Sequence, residues 1–194
     1  MQKIATQDPG KALELLFALS PAEKERLSRE LAIGWARADP LSTWDWIDAA
    51  WVDQSGAYID RQLQNSLFRE TLDVVLEGHE DYQMAANMLA SVVEPNLKLE
   101  LADLIAFHVV SRNPAEALER MRFQSDDLLD SAIMDAVIKE WAQRDSIGAM
   151  EWTLANQRQV TSAGAKEIAK DLLLNGARDG LIDFHANLQS QYKR

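Results

Sequence analysis

Apolar residues recur at spacings of three and four along almost the whole chain. The run Leu97, Leu99, Leu101, Leu104, Ile105, His108, Val109 lies close to a helical stripe. The same periodicity predicts long amphipathic helices over about 21–37, 57–77, 95–111, 126–143 and 162–177. No stretch alternates apolar and polar residues with β-branched enrichment long enough for a strand, so the expected class is all-α. Leu, Ala, Glu, Gln, Arg and Met fill most of the length and favour helix.

The pattern is punctuated by an acidic or amide residue at Asp8, Asp39, Asp81, Asn113, Asp145 and Asp179, with intervals of 31, 42, 32, 32 and 34 residues. Three of these anchors are followed by proline: Pro9, Pro40 and Pro114. Asp or Asn followed by Pro predicts a helix start. The side chain accepts from an orphan backbone N–H, and the proline lacks only a donor that the first turn does not use. Ser20-Pro21-Ala22-Glu23, Ser125-Asp126-Asp127 and Thr161-Ser162 read as further helix starts.

Side chains around the anchors repeat as well. Three residues before the anchor stand Ala5, Ala36, Gly78, Ala142 and Gly176, with Val110 the exception. Four residues after it stand Ala12, Thr43, Ala85, Ala117 and Ala149, with Asp183 departing. Small residues at both places predict a close approach of two helices at the turn. Bulky residues follow, as in Leu13, Leu15, Met88, Leu118, Met150 and Phe184. Trp35 and Trp141 share one register, and Trp46 and Trp152 another. Repetition in register favours core packing. The unit is a long helix, a tight turn at the anchor, and a shorter helix, repeated at about 32–34 residues.

These features predict a right-handed α-α superhelix, or solenoid, of about five and a half helical hairpins, forming a single helical-repeat domain over 1–194. Only seven residues precede Asp8, so the chain is expected to open on a lone short helix from Pro9 to Leu19 and to be a fragment of a longer protein. The 42-residue interval after Asp39 is expected to hold an insertion, near Trp51 to Tyr58 or within a longer helix.

The phrases Trp35-Ala36-Arg37-Ala38-Asp39-Pro40 and Trp141-Ala142-Gln143-Arg144-Asp145-Ser146, each with a tryptophan seven residues beyond the aspartate, resemble bacterial helical-hairpin repeats of the broad TPR, Sel1 and HEAT-like group. The resemblance covers most of the chain and is degenerate outside the second and fifth units. The chain lacks the Trp-x-x-Leu-Gly-x-x-Tyr pattern of a true TPR and the glycine-rich signature of Sel1. The resemblance implies a superhelix that binds protein partners and carries no catalytic residues.

Charge narrows the partners. With 31 acidic and 20 basic residues the net charge is -11, which argues against nucleic acid and against an anionic membrane surface. A protein or peptide partner with a basic segment suits it better. The chain has no cysteine, so a disulfide frame and thiol chemistry are excluded. No run of about 18 apolar residues offers a membrane span. The start lacks the apolar core of a signal peptide. The chain as it stands is expected in the cytoplasm, or in the periplasm if it is excised from a membrane-anchored or exported protein.

Catalytic, cofactor and metal motifs are missing from the sequence. His79, His108 and His185 show no i, i+4 metal spacing. His79-Glu80-Asp81 reads as turn chemistry, and His108, inside an apolar run, as a buried histidine. Asp126, Asp127 and Asp130 read as dipole complementation at a helix start, and Arg69 with Glu70 as a charged helix surface. Trp44 and Trp51 have no tryptophan counterpart in other units. With Asp53 and Tyr58 in the insertion, they are the candidate partner-binding residues. The expected function is a noncatalytic protein- or peptide-binding scaffold that uses a concave helical face. The alternative is the helical region of a larger cell-envelope enzyme or membrane-anchored sensor.

Overall fold

Each of the five prolines in the chain is the first residue of a helix: Pro9, Pro21, Pro40, Pro95 and Pro114. The fixed φ and missing N–H of proline suit that position and no later one. In the computed structural model the described residues are 1–50, 61–122, 131–156, 160–174, 182 and 184, and the described secondary structure is all helical. The chain divides into two compact units, Met1–Ser91 and Val92–Arg194.

The first unit contains α1 (Gln2–Gln7), α2 (Pro9–Phe17), α3 (Pro21–Ala36), α4 (Pro40–Ala50), α5 (Arg61–Val74), a π turn over Val75–His79, and α6 (Tyr82–Ser91). Helix α1 stacks on α3 and α3 on α5, while α2 packs against α1 and α3, and α4 against α3 and α5. The second unit contains α7 (Pro95–Val110), α8 (Pro114–Arg122), α9 (Ser131–Arg144), α10 (Ser146–Ala155) and α11 (Ser162–Leu174). There α9 lies between α7 and α11, and α10 packs against α9 and α11. Two contacts give the direction of α7 and α9: Asp103 meets Lys139, and Ser111 meets Arg144. Both numbers rise together, so these helices run parallel. Asp135 with Thr161 and Ile138 with Gly164 show that α9 and α11 are parallel too.

The anchors behave as caps wherever they are described. Carboxylate or amide oxygens of Asp8, Asp39, Asp81, Asn113 and Asp145 accept from the N–H three residues on, at Lys11, Ser42, Met84, Glu116 and Gly148, over 2.9–3.3 Å. Asp179 lies outside the described residues. At Ser20 the Glu23 carboxylate accepts from the Ser20 N–H at 3.2 Å and from its hydroxyl at 2.6 Å, so the third residue of the helix reaches back to the cap as the glutamate of a capping box does. Small side chains flanking the anchors are buried: Ala5, Ala36, Ala142, Ala12, Thr43, Ala85 and Ala149 are fully covered and Ala117 almost so. They form the seam where the two helices of a hairpin meet. The repeated tryptophans face each other across the hairpin, Trp35 to Trp46 at 5.8 Å and Trp141 to Trp152 at 6.1 Å between ring centroids.

Two expectations need correction. Gly78 is exposed and is not a seam residue. The N–H of Asp81 donates to the Val75 carbonyl six residues back, whereas Asp8, Asp39 and Asp145 reach only four residues back, to Ile4, Trp35 and Trp141. The π turn, closed by Glu80 at φ 51°, therefore adds two residues, and the buried Val75 and Leu76 take the places that Trp35 and Ala36 hold elsewhere. Part of the insertion is thus a local widening of the last turn of the long helix. Secondly, α2 is not a lone opening helix. The seven residues before Asp8 suffice for the short α1, which stacks on α3 as α3 stacks on α5. Gly34 permits this contact, because a Cβ there would lie 2.3 Å from the Gln2 carbonyl oxygen. Thr6 also donates to the Gly34 carbonyl at 2.8 Å.

Candidate partner-binding surface

Of the four candidate residues from the sequence, Trp51, Asp53 and Tyr58 lie outside the described residues. Trp44 is inside the first unit and is 5% exposed. Its ring centroid is 4.4 Å from that of Phe68, and its indole N–H donates to Ser91 Oγ at 3.0 Å. Trp44 is therefore not the exposed groove contact its lack of a counterpart suggested. Its body fills the space between α4 and α5, and its polar edge finds a partner at the end of α6, so the ring can be buried without an unsatisfied donor.

An exposed aromatic surface occurs in the second unit instead. Helix α7 buries Leu97, Leu101, Ala102, Ile105, Ala106 and Val109. A stripe of Leu99, Asp103 and Phe107, spaced by four, remains on the outside. Leu99 is 57% and Phe107 52% exposed. Parallel α9 brings two cations to this stripe. Lys139 reaches Asp103 at 3.4 Å, and the Arg144 guanidinium stands 5.3 Å from the Phe107 ring centroid. Arg144 is fixed by the other groups it meets: Nε and Nη2 donate to Glu140 Oε1 at 2.9 and 2.7 Å, and Nη1 donates to Ser111 Oγ at 3.2 Å.

The energetics identify what this cluster contributes. Exposed ion pairs are worth roughly 0–1 kcal/mol and an exposed cation–π contact about 0.5–1 kcal/mol. The fold gains little from it. What it gains is order: an aromatic ring and a planar cation are held in one geometry facing solvent, so little side-chain entropy remains to be lost on contact with a partner. His108, beside it, is half-buried rather than enclosed in the core, with its ring edge-on to Phe107 at 5.7 Å.

The titration shifts have local causes. Hydrogen bonds from Ser20 lower the Glu23 pKa, those from Ser42 lower that of Asp39, and the Lys170 ammonium lowers that of Glu167 while its own is raised. These are caps and a surface pair. The sequence obscured Phe107 because Ala106, Val109 and Val110 surround it in an apolar run. The signal that could have exposed it is Asp103, whose charge marks the outward stripe four residues earlier. No family model, curated protein or solved structure matches the chain.

Proposed function

We propose that this chain is a noncatalytic scaffold that binds a protein or peptide segment, with its hairpins stacked as a right-handed solenoid of about five and a half units. Parallel stacking of α7, α9 and α11 supports the architecture, since long helices laid side by side form a continuous surface. The observation that carries the function is the Phe107–Arg144 cluster, an aromatic anchor oriented by neighbours and left open to solvent. Aromatic residues and arginine dominate binding hot spots; the phenylalanine ring has only two rotatable bonds, and Arg144 is already held by Glu140 and Ser111. The acid excess of the chain steers basic segments toward it and sets their approach.

A peptide-display selection against the chain and against Phe107→Asp tests this. Enriched peptides should carry a bulky apolar residue near basic residues, and their affinity for the variant should fall by about tenfold or more, or roughly 1.4 kcal/mol. A selection without enrichment, or peptides that bind both proteins equally, would contradict the reading.

A further inference from the structure

The exposed stripe of α7 is apolar at both ends and acidic in the middle. Leu99, Asp103 and Phe107 follow one another at intervals of four, so two apolar side chains stand about 12 Å apart along the helix with a carboxylate midway between them. Lys139 meets one oxygen of Asp103 at 3.4 Å, yet 60% of the Asp103 side chain stays exposed, so a second cation has room to approach it. Glu100 is exposed as well and, three residues before Asp103, neighbours it on the helix surface. The Leu99 half of the stripe is therefore apolar and acidic, and the Phe107 half is apolar and bounded by the Arg144 guanidinium. A row of side chains four apart is the ridge on which helices interdigitate. The backbone beneath it is spent within α7, so an extended segment finds no ladder of N–H and C=O groups to join. A helix brings its own backbone already satisfied.

We infer that this face takes one amphipathic α-helix of another protein, with two apolar anchors seven residues apart and a Lys or Arg between them. Anchors at that spacing share one face of a helix and lie about 10.5 Å apart, which brings one to Leu99 and the other to Phe107. Anchors four residues apart span only about 6 Å and reach one of the two. The cation, three or four residues after the first anchor, falls beside Asp103 and Glu100. Charge complementarity selects it, since an acid at that place would face two carboxylates. This occupant is a special case of the partner proposed above and rests on that reading; what is new is its conformation, spacing and charge.

Two peptide-display libraries panned on the full chain separate the two levels. One is built on an alanine-rich helical scaffold with the positions of one face randomised. The other is linear and carries a central proline, which breaks a helix. The helical library should be enriched in apolar residues seven apart with Lys or Arg between them, and the proline library should not. A synthetic peptide of an enriched sequence should lose about tenfold in affinity on Phe107→Asp and about fivefold or more on Leu99→Ser, read by fluorescence anisotropy. Asp103→Asn should cost about two- to fivefold. Asp103→Lys should weaken binding further, and Glu in place of the peptide's cation should restore it. Enrichment of the proline library as strong as that of the helical one, or helical peptides that ignore Leu99→Ser and Asp103→Lys, would overturn the helical occupant and leave the scaffold reading standing. Failure of both libraries removes that reading as well. Sedimentation showing that the chain pairs with itself, with Leu99→Ser restoring the monomer, would make a second copy the occupant and overturn the inference too.

Discussion

Removing the carboxylate of Asp39 tests how the repeat begins each second helix. Asp39 Oδ1 accepts from the Ser42 N–H at 3.0 Å and Oδ2 from the Ser42 hydroxyl at 2.6 Å. Asp39→Ala leaves the N–H to water and should cost about 1 kcal/mol, within the usual range of roughly 0.5–2 kcal/mol for loss of an N-cap. For a chain of this size that is a fall of about 2–4 °C in Tm. Asp39→Asn should recover most of the loss, because the chain already caps one hairpin with Asn113, whose Oδ1 accepts from the Glu116 N–H. The hydrogen bonds from Ser42 hold the folded pKa of Asp39 below its ordinary value. The carboxylate contribution is therefore complete above the unfolded pKa of about 3.9 and is lost as pH falls through the lower folded value. Urea unfolding of the three proteins at pH 7 and in steps below pH 4 measures both effects. Equal destabilisation by Ala and Asn at pH 7, or a gap between Asp39 and Ala that widens on acidification, would refute the capping argument.

Gly34→Ala should push α1 from α3, since about 1–3 kcal/mol of overpacking outweighs about 1 kcal/mol of helix propensity. Hydrogen exchange at residues 2–7 should then accelerate; unchanged protection would show that the Gln2 contact does not limit the site. Ala142→Leu, at a fully buried seam position, should lower unfolding free energy by about 1–3 kcal/mol in urea titrations, whereas Gln143→Leu, exposed one residue later, should change it by less than about 0.5 kcal/mol. Trp44→Phe should cost about 1 kcal/mol or more by removing the indole N–H bond to Ser91 and part of a buried ring, and Ser91→Ala in that background should add little, since Ser91 is exposed.

The architecture was legible where the physics is local. Asp-Pro and Asn-Pro each report a cap and a first helical turn, and five anchors form those bonds in the fold. Alanine flanking an anchor reports a close approach, and the buried seam has that composition. Where geometry depends on three dimensions, the reading failed. Gly78 has the right type at the right count, but a π turn displaces it by two residues. Six residues form α1 because Gly34 and Thr6, distant in sequence from each other, fit together. Trp44, expected to be exposed, is buried, and Phe107, which carried no expectation, faces water. A tryptophan without a repeat counterpart can still fill a core if its N–H finds a partner such as Ser91, and a phenylalanine in an apolar run can face water when its phase on the helix follows a charge.

The scaffold reading is tested most directly by NMR titration of the labelled chain with a peptide enriched in the display selection. The account predicts progressive shifts confined to the outward stripe of α7 and its α9 neighbours, at Leu99, Asp103, Phe107, Lys139 and Arg144, and their disappearance in Phe107→Asp. Shifts elsewhere with this surface unchanged, or shifts that persist in Phe107→Asp, would contradict it.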